Sequence, residues 1–261
     1  MSRRFNSIEK ITLAATLLAI AVVLGTITKT IRIPHLSFLS FSFTPALVVF
    51  ASLCLGPVYG AVVGGLSDLI PAFLYPTGAY NFLLTIVFVL LGVFPWLLEK
   101  ITKRVRSFFP FSYVTCGLLA ILFALECYFF YGTDLLNKRL SYYGEYAKVI
   151  LLCLSAITDI ACVVGLLFTE RYYRKKKEYL SSLPTAGEIS FLAFFLEITL
   201  LVLLKGLAYY FYFIVIGSTS YSIDYWLIVS MMVISAPLDL LFISLSVPWM
   251  LFFVNRFHAS K

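Results

Sequence analysis

Six ionisable side chains stand within apolar stretches of this chain: Asp68, Glu126, Asp159, Glu197, Lys205 and Asp239. In a lipid-like medium a carboxylate costs on the order of 3 kcal/mol unless it faces a partner, a protein interior or a water-filled cavity. Each acid therefore needs a partner or a proton. Glu197 and Asp239 fall at similar depth on adjacent antiparallel segments, and two nearby carboxylates cannot both ionise cheaply. Lys205, two helical turns beyond Glu197, is placed to neutralise one of them. Paired structural acids and a proton-coupling pair are both compatible with this pattern.

Asp68 has the richest surroundings. It lies in GPVYGAVVGGLSDLIPAFLYPTGAYN (56–81), where Gly56, Gly60 and Gly64 recur every four residues. Small residues at this spacing form a bare groove along a helix, and plain helix packing explains them equally well. Pro71, Pro76 and Gly78 are expected to break the helix, which is tolerated at membrane depth where backbone lines a cavity or is buried in protein. The preceding KTIRIPHLSFLSFSFTP (29–45) supplies Lys29, Arg32, His35, Phe38, Ser37, Ser40 and Ser42. The two stretches read as walls of an outward-opening pocket, closed by YPTGAYN (75–81) with Tyr75, Tyr80 and Asn81. An aromatic lining with a few polar groups is the usual form of a small-molecule site. The bases suit an anionic ligand. The plainer reading of 29–45 is an interfacial segment with snorkelling bases and an aromatic belt.

No bond-breaking constellation accompanies these residues. The chain has no GxxxxGK[ST] nucleotide loop, no HExxH and no GxSxG. His35 and His258 are far apart, and Cys54, Cys116, Cys127, Cys153 and Cys162 lie in apolar runs without metal-type spacing. The cysteines read as small packing residues. No enzyme, metal or organic cofactor is expected, and any ATP hydrolysis belongs to another polypeptide.

The elements that position these residues follow from the medium. The chain is 61% hydrophobic and 13% charged, with mean hydropathy +0.97. Soluble domains are about half apolar and about a quarter charged, so the solvent here is lipid. Continuous apolar runs without period-two alternation exclude a barrel and predict an all-α integral membrane protein, a polytopic bundle of about eight transmembrane helices. The expected spans are 9–31, 38–55, 57–74, 80–98, 110–131, 147–169, 187–213 and 224–254, within a single membrane domain over 1–261. The first is read as a retained helix rather than a signal sequence, being long and lacking a small-x-small cleavage site.

Eight spans put both termini on one side. Arg3, Arg4, Lys10, Arg256 and Lys261 then share that side with the basic loops 99–107 and 170–180, which collects most of the 20 Lys and Arg. Basic excess marks the cytoplasmic face, so both termini are expected in the cytoplasm of a multi-pass cell-membrane protein. This topology accounts for the net charge of +7, with YYRKKKEY (172–179) facing anionic headgroups and no nucleic acid implied.

The order of segments resembles the substrate-binding S component of energy-coupling factor (ECF) vitamin transporters, most closely the folate-type branch. It consists of a first helix with small residues four apart, then IPHLSFLSFSFTPALV, LGPVYGAVVGGLSDLI and YPTGAYNFLLT. The likeness covers mainly 8–98, with a weaker echo in ISAPLDLLFISLSVPWMLFFVNRF (234–257), similar to that family's final helix. The resemblance implies a protein that binds a vitamin or precursor from outside and docks on a membrane T protein carrying two ATPases. It further implies that the protein tips in the bilayer to release cargo. The docking AxxxA motif is matched by Ala15 and Ala19, and Asn81, Phe82 and Thr85 match the start of the fourth helix.

The family core has six helices, so the resemblance implies that 110–169 is an added pair and 187–257 the final pair. Internal likeness supports this: Leu125–Glu126 echoes Leu196–Glu197, and SAITD (155–159) echoes SAPLD (235–239). Tyr209, Tyr210, Tyr212, Tyr221, Tyr225 and Trp226 read mostly as an interfacial belt, with lining of the pocket mouth as the alternative. A proton-coupled secondary transporter using the buried acids, or a non-transport membrane scaffold, are the alternative functions.

Overall fold

The computed structural model describes residues 6–30, 42–76, 79–105, 110–132, 145–175, 184–216 and 225–259. Among these residues all regular structure is helical. The helices are α1 (Ser7–Thr30), α2 (Thr44–Leu55), α3 (Pro57–Leu74), α4 (Phe82–Val105), α5 (Phe111–Gly132) and α6 (Glu145–Lys175). There follow α7, which joins Ala186–Leu196, Glu197–Leu204 and Lys205–Ile216, and α8 (Tyr225–Ala259). Seven of them are long and apolar enough to cross a membrane.

The expected second span differs. Its described part, α2, has 12 residues and every one is buried. At about 1.5 Å per residue it reaches roughly 18 Å, well short of a ~30 Å hydrocarbon core. It is a short helix packed on all sides by α1, α3, α4 and α8. Gly56 ends it at φ 103°, a left-handed conformation that only glycine adopts without strain. Pro57 then opens α3, where a missing N–H costs nothing.

The tightest packing is between α3 and α4. A Cβ built on Gly60 would stand 2.2 Å from the Gly92 carbonyl oxygen, and one on Gly64 2.2 Å from that of Phe88. The stripe is therefore filled by α4, the plain helix packing that is one of its two readings. Gly56, with nothing within 4 Å of its added Cβ, belongs to the turn rather than the stripe. Pro71 also behaves differently from expectation. α3 continues through it to Leu74, and the chain leaves the helix only at Tyr75, whose N–H donates to the Pro71 carbonyl at 3.1 Å. The buried ring of Pro71 is accommodated by Gly25 of α1, whose added Cβ would lie 3.4 Å from the ring's Cγ.

In α7 the Thr185 hydroxyl accepts from the Glu188 N–H at 3.2 Å, and Glu188 Oε2 accepts from the Thr185 N–H at 3.1 Å. This capping box satisfies donors that the first turn cannot pair internally. α7 then widens into a π-helix over Glu197–Leu204 before returning to α-geometry at Lys205. α8 packs on α6, α2 and α7 and is the most buried of the long helices. All five cysteines are free thiols, without disulfides.

Candidate functional site

Polar side chains gather at the end of the bundle where α3 stops and α4 starts. Asp68, two turns before the end of α3, is half-buried and accepts a hydrogen bond from the Thr85 hydroxyl at 2.7 Å. Thr85 in turn meets the Tyr80 hydroxyl. A threonine hydroxyl has one proton, here committed to Asp68, so the tyrosine is the donor in the second bond. The result is a directed chain from Tyr80 through Thr85 to Asp68. Tyr80 also stacks on Phe73, ring centroids 5.7 Å apart.

Asn81 holds the turn in place. Its side-chain oxygen accepts from the Leu83 N–H at 3.2 Å, capping α4, while its Nδ2 donates to the Ala208 carbonyl at 3.0 Å. Beside it the Tyr212 hydroxyl donates to the Ala79 carbonyl at 2.6 Å. These two long-range bonds tie the link between α3 and α4 to the last segment of α7. Tyr212, one of the aromatics read above as belt or pocket-mouth residues, anchors this loop. A Tyr among many aromatics has no pattern in sequence that would single it out.

A second polar group lies between α7 and α8. Glu197 and Asp239 are 2% and 4% exposed, and each lies within electrostatic range of Lys205. Asp239 accepts from the Ser42 N–H at 3.3 Å, so α8 holds the entry to α2. The sequence placed Glu197, Asp239 and Lys205 together, and the structure does so as well. It adds that Glu197 opens the π-helix and Lys205 closes it. π-helical turns recur at functional sites because they displace side chains from α-register.

The remaining predicted residues are distributed as follows. Tyr75 is exposed just past the end of α3, and Phe82 is exposed at the start of α4. Lys29 lies in the last turn of α1. Arg32, His35, Phe38 and Ser40 lie outside the described residues. Ala15 and Ala19 are both exposed on α1, whereas Leu17 and Ala21 on its other side are buried. No cluster of metal-ligating side chains occurs among the described residues.

These features define a polytopic α-helical membrane protein with a polar site at one end of its bundle. Residues 9–160 match the family model described as ECF transporter, substrate-specific component, and the chain belongs to that family. It is accordingly a substrate-binding membrane subunit of an ECF importer, a transporter subunit and not an enzyme. The match runs beyond the first four helices, through α5 and into α6. No curated protein and no solved structure matches the chain.

Proposed function

We propose that this subunit captures a vitamin or related small molecule, folate-like or of another type, and docks on a T protein with two ATPases. Both termini would lie in the cytoplasm of the cell membrane. The cargo site would combine Asp68, Thr85, Tyr80, Asn81 and Tyr75 with Lys29, Arg32, His35, Phe38 and Ser40 of the segment before α2.

The observation that carries the reading is the Tyr80–Thr85–Asp68 chain, beside Ala79 and Asn81, which are bonded to α7. With both hydroxyl protons committed within the chain, it presents pre-oriented acceptor oxygens at an accessible end of the bundle, where Tyr80 is 40% exposed. Pre-organised polar groups beside aromatics fix the orientation of a small ligand without the cost of ordering them on binding. Docking is supported by Ala15 and Ala19, which leave a flat exposed strip on α1. Small residues four apart let a partner helix approach closely in lipid.

The test is gentle purification of the full chain from its native membrane, followed by identification of co-purified proteins and released small molecules by mass spectrometry. A T protein, ATPases and a stoichiometric vitamin-like compound are expected. Their absence from material that is folded and monodisperse would overturn the proposal.

A further inference from the structure

The likeness between the two carboxylate pairs has a geometric counterpart. In α7–α8 the echoed motifs place Glu197 against Asp239; in α5–α6 they place Glu126 within electrostatic range of Asp159. Glu126 is 0% exposed and Asp159 7%. The Ser155 hydroxyl donates to Glu126 Oε2. Glu126 Oε1 and both carboxyl oxygens of Asp159 are buried and have no hydrogen-bond partner.

The two pairs differ in countercharge. Lys205 stands eight residues beyond Glu197, whereas the equivalent position beyond Glu126 is Asp134, an acid, which lies outside the described residues. α5 carries no Lys, Arg or His. On α6 the bases nearest to Asp159 are Lys148 and Arg171, each at least about 16 Å away along the helix axis. α8 approaches through Ser244, which bonds Cys162, and its only Lys or Arg is Arg256, about 18 Å further along. Among the described residues Cys162 lies within electrostatic range of Asp159, with Cys116 next to Cys162 in turn, and the Ala186–Leu196 segment of α7, which also packs on α5 and α6, carries Glu188 and no base; none of these brings positive charge. Two carboxylates buried in a membrane domain without a basic partner among the described residues require charge compensation from elsewhere.

We propose that Glu126, Asp159 and Ser155 form a site for a small cation, either a proton or a sodium ion, held between α5 and α6. Three unpartnered carboxylate oxygens and one hydroxyl oxygen offer the all-oxygen environment that hard cations take. The site is separate from the Asp68 group and does not depend on the identity of the cargo.

The experiment uses the full chain in lipid nanodiscs, with two readouts. Thermal unfolding is followed as sodium replaces choline at constant ionic strength. Infrared difference spectra recorded across a pH titration report whether a protonated carboxyl band is present at neutral pH and converts reversibly to carboxylate. The sodium form predicts a Tm rise of about 5 °C over a hundredfold increase in sodium, lost in Asp159→Asn. The proton form predicts the carboxyl band, lost in Glu126→Gln or Asp159→Asn and shifted in Ser155→Ala. Ser155→Ala and the wild-type titrations keep the test decisive where an acid variant fails to fold. Unchanged Tm in sodium, together with a wild-type spectrum insensitive to Ser155→Ala and both acid variants, would overturn the proposal.

Discussion

Gly60 of α3 and Gly92 of α4 meet backbone to backbone. A Cβ on Gly92 would lie 2.1 Å from the Gly60 carbonyl oxygen, and one on Gly60 2.2 Å from that of Gly92. Neither helix can accept a methyl group there, because the opposing atom is backbone rather than the end of a flexible side chain. This contact fixes how α3 lies on α4, and hence whether Asp68 meets Thr85 two turns further along. Gly92→Ala is expected to lower stability by about 3 kcal/mol, the upper range for overpacking a close interface. Gly117→Ala on α5, with nothing within 4 Å, is expected to be neutral. Thermal unfolding in one detergent compares the two. Equal melting temperatures would contradict the close contact.

The helices and several partnerships were legible in the residues. Long apolar runs specify lipid-facing helices, and the acids within them had to find polar partners, which is how Asp68, Glu197 and Asp239 stood out. Other features depend on tertiary contact. EITLLVLL (197–204) has the composition of an ordinary α-helix, so its π-geometry left no mark in composition. α2 reads as a membrane span, yet it is enclosed by its neighbours because its whole circumference is apolar. Pro71 looks like a helix breaker in isolation; a glycine 46 residues earlier makes room for it. The partnership of Tyr212 with Ala79 crosses 133 residues and involves a backbone carbonyl, which no residue type advertises.

Thr85 is the middle of the hydrogen-bonded chain, so its removal affects both ends. Thr85→Val keeps the shape but leaves Asp68 without that donor and Tyr80 without its acceptor. A hydrogen bond to a charged group contributes about 2 kcal/mol. The free subunit is expected to lose stability of about that order, and affinity for the native cargo to fall roughly tenfold or more because the pre-organised site is lost. Equilibrium binding to the purified subunit measures it. Unchanged affinity would place the cargo elsewhere.

Lys205 is half-buried beside two buried acids, and it balances only one of their charges. Removing one partner of a buried ionic group typically costs about 3 kcal/mol, since the remaining charges stay desolvated. Lys205→Met is expected to destabilise by this order, and Lys205→Met with Glu197→Gln to regain most of the loss. A double-mutant cycle on thermal or denaturant unfolding gives the coupling. Additive losses would show that Lys205 and Glu197 act independently.

On α1 the exposed strip separates docking from folding. Ala15 and Ala19 are exposed, and nearby Thr12 and Thr16 direct their hydroxyls to the Ile8 and Leu13 carbonyls at 2.9 and 2.8 Å. No hydroxyl is left unpaired, so this face suits lipid or a partner helix equally. Enlarging exposed residues changes stability by about 0.5 kcal/mol or less. Ala15→Leu with Ala19→Leu is therefore expected to unfold at the wild-type temperature and to bind cargo normally. It should nevertheless lose co-purification with the T protein and ATPases, because two added isobutyl groups hold a partner backbone away. Ile157→Ala, on an exposed face of α6, serves as the control and is expected to leave the complex intact. A complex retained by the double variant would remove the docking surface from α1, and its loss in Ile157→Ala would move that surface to α6.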